Sequence, residues 1–193
     1  MKFSPNGKRI ACANYRAEKL TNHLMVFDFD NQTGIVNTKR DLTTSFVQFE
    51  VVSAYGVEFS NDSRYLYVTL IRQGILNSGN IKEFEDTIKK NLLYQYDLNN
   101  LNPWSSITSL NEDSSNLAAS SLQLSKDGKI YRALCESRDK GTKFLGVINN
   151  PNILGNESNY VHNSFNLIDK ESRLGLPNFI QSYFRTRILN DEA

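Results

Sequence analysis

All-β structure built from one repeated antiparallel unit is what this sequence predicts, and three observations carry that expectation. One phrase is written three times, as FSPNGKRIACA at Phe3–Ala13, FSNDSRYLYVTL at Phe59–Leu70 and LSKDGKIYRAL at Leu124–Leu134. Each copy is followed by a further apolar stretch: LMVFDFD at Leu24–Asp30, LLYQYDL at Leu92–Leu98 and FLGVINN at Phe144–Asn150. Within these stretches apolar and polar residues alternate at the period of a strand, as in Tyr94, Tyr96 and Leu98 against Gln95 and Asp97. A hairpin plus a third strand, repeated, marks a repeat β architecture.

Turn chemistry explains why the phrase recurs. Pro5 presets φ in SPNGK and Asn6-Gly7 tolerate positive φ, while Asp127-Gly128 do the same in SKDGK, as a tight hairpin requires. Hairpin turns are therefore expected at Ser4–Lys8, Ser60–Arg64 and Ser125–Lys129. The middle copy carries Asn61-Asp62-Ser63 without glycine, so its turn is expected to be looser or bulged. On the flanking strands, Val57 and Phe59 share one face, as do Leu66, Val68 and Leu70 on the returning strand.

Spacing selects among repeat folds. The phrase begins at Phe3, Phe59 and Leu124, which is longer than the roughly 40–50 residues of compact propeller blades and far above a leucine-rich repeat. In the middle unit the excess lies between the second and third strands, where Ile81, Phe84 and Ile88 follow helical spacing and Asn80 with Glu83 resembles a capping box. A short inserted helix is expected over Asn80–Lys90, and without it the period is propeller-like. The predicted fold is β-propeller-like, a single domain of about three to four antiparallel blades, partial or open because closed propellers have roughly 4–8. Its units run over residues 1–52, 53–110 and 111–168, with a terminal strand over 171–184. The chain is expected to be a piece of a larger ring, or an arc able to self-associate through an open blade edge.

Composition narrows the partners. Lys+Arg number 22 against 21 Asp+Glu without a basic stripe, which argues against nucleic acid or an anionic membrane surface. No apolar run approaches the ~20 residues of a membrane helix, so membrane insertion is not expected. Pro5, Asn6 and Gly7 arrive before an apolar export segment could begin, so any export signal is expected upstream. Cys12 and Cys135 sit in comparable places of the first and third units and read as two buried free thiols. Asn31, Asn61 and Asn156 open Asn-X-Ser/Thr triplets, a pattern that acts only in a eukaryotic secretory pathway.

No residue set rises to a catalytic, cofactor or metal site. Asp28 and Asp30 with Gly34 echo an acidic calcium loop, but a later bidentate carboxylate is missing, and the alternation of Phe27 and Phe29 favours a strand running into a turn. Asp97 holds the matching strand-end place in the second unit. His23 and His162 each stand without a partner at metal-ligand spacing and read as surface or strand-edge residues. A G-x-S-x-G elbow and Gly-rich phosphate loops are absent from the sequence. Tyr94/Tyr96 and Phe27/Phe29 could stack on a sugar, although core packing accounts for them more simply.

The ordered set AYGVEFS (Ala54–Ser60), LYQYDL (Leu93–Leu98), LQLSKDGKIY (Leu122–Tyr131), LGVINNPNILG (Leu145–Gly155) and RLGLPNFIQSYF (Arg173–Phe184) resembles the propeller region of large exported Bacteroidetes proteins that carry PKD-type modules and a gliding-motility-associated C-terminal sorting domain. The resemblance covers nearly the whole chain. It implies a WD-like propeller in a secreted or cell-surface protein of the type IX secretion route, acting as a spacer or as a binding module for protein or glycan, without enzymatic activity. The departures are the extra middle insertion, the Ser63-Arg64 turn and the RTRILNDEA ending. Long-bladed propellers also include lactonases, so a lactonase-like hydrolase is the alternative, and it would require His, Arg and Glu converging at a central mouth.

Overall fold

A computed structural model describes residues 1–14, 24–42, 51–73, 90–100, 108–113, 118–136 and 139–177. Over these residues the chain is all-β, with three four-stranded antiparallel sheets whose strand order follows the sequence. The first holds β1 (Lys2–Phe3), β2 (Arg9–Ala13), β3 (Leu24–Phe29) and β4 (Val36–Asp41). The second holds β5 (Val51–Phe59), β6 (Tyr65–Gln73), β7 (Lys90–Asp97) and β8 (Thr108–Asp113). The third holds β9 (Leu122–Leu124), β10 (Ile130–Cys135), β11 (Gly141–Ile148) and β12 (Tyr160–Asn166). The three expected strands of each unit are present, and each gains a fourth. The helix expected over Asn80–Lys90 lies outside the described residues except for Lys90, which opens β7.

The three phrase turns use one device. Asn6, Asp62 and Asp127 each accept, through Oδ1, the amide two residues ahead, at 3.0, 3.1 and 3.1 Å. The residue after each is left-handed: Gly7 at φ 70°, Ser63 at 65° and Gly128 at 80°. The middle turn is not looser, contrary to expectation. Ser60 N donates to Tyr65 O at 2.9 Å just as Ser4 N does to Arg9 O, whereas the third turn closes one residue sooner, Ser125 N to Lys129 O. Ser63 tolerates a conformation that costs a non-glycine residue roughly 1 kcal/mol or more because it is held from both sides. Its Oγ accepts Asn6 N at 3.0 Å and its carbonyl accepts Arg9 Nη1 at 3.1 Å, so it joins two sheets while turning.

The sheets stack in chain order, each face-on to the next. Ala11, Leu24 and Val26 of the first sheet pack on Val57, Phe59, Leu66, Val68 and Tyr96 of the second. From the opposite face of the second sheet, Tyr65, Tyr67 and Leu93 pack on Leu122, Leu124, Ile130 and Ile148 of the third. The middle sheet is therefore covered on both sides, which is why β6 reads YLYVTL as an almost continuous apolar run. Beyond β12 the chain folds back. Ser172 exchanges backbone hydrogen bonds with Thr142, and Leu174 O accepts Ser121 N at 2.8 Å. The described part of the expected terminal strand, residues 171–177, is thus an irregular segment with one bridge to Thr142, and residues 178–184 lie outside the described residues.

A bulge in β5 brings the second sheet against the segment that leads into β9. Gly56 N donates to Thr69 Oγ1 at 2.9 Å, and that hydroxyl donates to Ser120 O at 2.6 Å. A Cβ on Gly56 would lie 2.5 Å from Ser120 O, a backbone atom with no freedom to yield. Gly56→Ala should cost about 1–3 kcal/mol through overpacking, measured by urea denaturation. Gly175, where an added Cβ would meet none of the described residues within 4 Å, should accept alanine with a change of roughly 0.5 kcal/mol or less.

Candidate functional site

In an antiparallel meander alternate connections fall at the same end, so the phrase turns, the β3–β4 turn and the β11–β12 connection share one rim. Hydrogen bonds confirm that their tips meet. Asn6 N reaches Ser63 Oγ at 3.0 Å, and Asp62 N reaches Asn152 Oδ1 at 3.2 Å. Around Lys8, Arg9 and Asp28–Gln32 the rim has an open depression of about 510 Å³ with the edge of Phe29 among charged and carboxamide groups. The segment Asn149–Gly155, within the LGVINNPNILG motif, closes the rim over the middle sheet. Gln95 Nε2 donates to Tyr67 Oη at 2.7 Å and to Ile153 O at 2.8 Å, Gln95 Oε1 accepts Gly155 N at 2.7 Å, and Tyr67 Oη donates to Pro151 O at 2.9 Å. Burial pushes the Tyr67 phenol far above its ordinary range, so it stays protonated and donates.

The inner strands of the three sheets converge on a second polar cluster. Glu58, with no solvent exposure, accepts Phe59 N through Oε1 at 3.0 Å and Leu124 N through Oε2 at 3.0 Å. Lys2 Nζ lies 3.1 Å from the same Oε2 and donates to Gln123 Oε1 at 2.5 Å. These three side chains are one column of the repeat, the residues immediately before Phe3, Phe59 and Leu124. Scanning for catalytic motifs misses them. Aligning the three phrases and reading the column before the apolar residue would have found them.

The residues weighed from sequence are dispersed. Asp28 pairs with Arg40 Nη2 at 3.0 Å, while Asp30 caps its own turn by accepting Gln32 N at 2.9 Å and Thr33 Oγ1 at 2.7 Å, which holds its carboxyl below the ordinary range. Both carboxylates are thus engaged within the protein, and no cluster of three or more metal-ligating side chains occurs among the described residues. His162 lies half-exposed on the edge strand β12, in keeping with the strand-edge reading, and its Nδ1 is 2.9 Å from Tyr160 Oη, which accepts Arg132 Nη1 at 3.1 Å. Arg132 is fully buried, with its guanidinium 5.6 Å from the Tyr160 ring centroid, so the trio runs from the interior out to the half-exposed edge of the third sheet. His23 lies outside the described residues. Cys12 and Cys135 are free thiols, though only Cys135 is fully buried, and burial raises the pKa of both. Asn31, Asn61 and Asn156 all stand exposed on the rim. Tyr96 is core, and Tyr94 packs against it.

Compared with protein-family models, curated proteins and solved structures, the chain matches none. Two measurements check the geometry. Glu58→Ala leaves two buried amides and a lysine uncompensated and should cost about 3–5 kcal/mol in chemical denaturation. At the rim, Arg64 grips Asp97 through Nε and Nη2, the shortest contact being 2.7 Å, and these hydrogen bonds hold the Asp97 carboxyl below its ordinary value. With the folded pKa depressed, this stabilisation is complete above the unfolded value of about 3.9 and is lost as pH falls through the lower folded value. The stability deficit of Asp97→Asn relative to wild type should therefore shrink on acidification from neutral pH to below about 3, followed by urea midpoints across pH.

Proposed function

We propose that the chain is a non-catalytic, β-propeller-like module of a secreted or cell-surface protein, presenting its rim to a protein or glycan. The observation that supports this best is the continuous rim, where turns from three stacked sheets are tied tip to tip and those of the first sheet line the depression around Lys8, Phe29 and Gln32. An aromatic edge beside carboxamides and paired charges suits a polyhydroxylated or peptide surface, which offers both apolar faces and hydrogen-bonding groups. The buried Glu58 supports the non-catalytic reading, because its oxygens are spent on backbone amides and Lys2. Export follows from the sequence resemblance, and protease accessibility on intact cells tests it: a segment protected until lysis would place the protein inside.

Binding is tested on a glycan array and a displayed peptide library. Lys8→Ala with Gln32→Ala should weaken a captured ligand at least about tenfold, a loss of ~1.4 kcal/mol, while the circular dichroism spectrum is retained. Steady hydrolysis of aliphatic or aryl lactones by the purified chain would overturn the non-catalytic reading in favour of a lactonase-like enzyme.

A further inference from the structure

The repeat assigns each sheet two distinct faces, and only four of the six are used in packing between the described sheets. Phe59 and Leu66 of the second sheet, and Leu124 and Ile130 of the third, face the preceding sheet. Their equivalents in the first sheet, Phe3 and Ile10, lie with Cys12, Phe27 and Phe29 on its outward face. There Phe3 is 46% and Val36 52% exposed, Ile10 is buried, Cys12, Phe27 and Phe29 are half-buried, and Phe3 meets Phe29 edge-on at 5.2 Å. At the other end, Tyr67 and Leu93 of the second sheet face the following sheet. Their equivalents in the third sheet, Tyr131 and Leu145, lie on its outward face, where Leu145 and Val147 are buried while Phe165 and Val161 on the edge strand are 48% and 39% exposed. The chain thus carries both complementary halves of the joint it uses twice internally.

We propose that two copies of this chain associate head to tail, the outward face of β1–β4 in one copy docking on the outward face of β9–β12 in the other. The argument is continuity: the face presented by Phe3 is the one that packs on a preceding sheet in the other two repeats, and the third sheet's outward face is the one that receives it. Such a joint is heterologous, so it closes only if the rotation per sheet is right. Two copies would place six sheets around one axis, within the range of roughly 4–8 for closed propellers. The docking covers both outward faces of each copy, four faces at two joints.

The test is the mass in solution, by light scattering coupled to size exclusion, over roughly 1–100 µM, a span that captures a micromolar Kd. The expected result is twice the 22.0 kDa of one chain. Phe3→Lys and Phe165→Lys, both at exposed positions, should each reduce the species to a monomer with an unchanged circular dichroism spectrum. Mixing the two variants should restore a dimer through the one intact joint. A wild-type monomer throughout overturns the proposal. Loss of association with Phe3→Lys but not Phe165→Lys means that like faces meet, and a wild-type mass other than two chains excludes the six-sheet ring. Both overturn it even where a variant fails to fold.

Discussion

A carboxylate removed from water fixes how the three sheets meet. Glu58 sits on β5 with its oxygens shared between its own strand, the amide of Leu124 on β9 and the ammonium of Lys2 on β1. A buried charge is tolerated only where hydrogen bonds and an opposite charge replace its hydration, and each of those replacements here comes from a different sheet or strand. The arrangement therefore constrains the inner strands more sharply than apolar packing could, because a slip of one residue would strand the carboxylate. Apolar contacts supply most of the cohesion, but they are permissive about register.

The two joints differ in kind. Between the first and second sheets the contact is mainly a slab of apolar side chains, with polar ties at the rim, where Arg9 and Ser63 meet, and at the inner strands, where Lys2 meets Glu58. Between the second and third sheets, polar groups penetrate the interior: Thr69 with Ser120, Tyr67 with Pro151, Gln95 with Ile153 and Gly155, and Arg132 with Tyr160. Each buried donor or acceptor left without a partner would cost about 1–3 kcal/mol. The second joint thus specifies one arrangement where the first merely favours adhesion, and the Asn149–Gly155 connection is held to the middle sheet by side chains rather than by its own regular structure.

Legibility in the sequence followed burial. The three phrase hairpins and the third strands were readable because each has a buried face and a turn residue demanding positive φ. The fourth strands were not, since VNTKRD at β4, TSLNED at β8 and YVHNSFN at β12 are edge strands whose sequences hold few apolar residues and show no clear alternation. The middle turn misled for a different reason. Glycine is the local solution to φ near 65°, and Ser63 uses a tertiary one, visible only when Asn6 and Arg9 are seen beside it. Glu58 looked like one charge in an apolar strand, and its meaning lay in the column it shares with Lys2 and Gln123.

That column carries a further consequence for the repeat itself. Three equivalent positions that meet around one centre cannot all bear the same charge, since like charges at hydrogen-bond distance repel strongly when water is excluded. The chain resolves this by diversifying the column into a cation, an anion and a neutral amide, while keeping the neighbouring column of Phe3, Phe59 and Leu124 apolar. Divergence among the copies is therefore imposed by geometry at the centre, whereas the turn residues at the rim, each solving its own local problem, were free to stay alike. The third copy closes one residue sooner and still keeps its Asx-capped, left-handed turn, as expected if the turn is set locally and the inner column collectively.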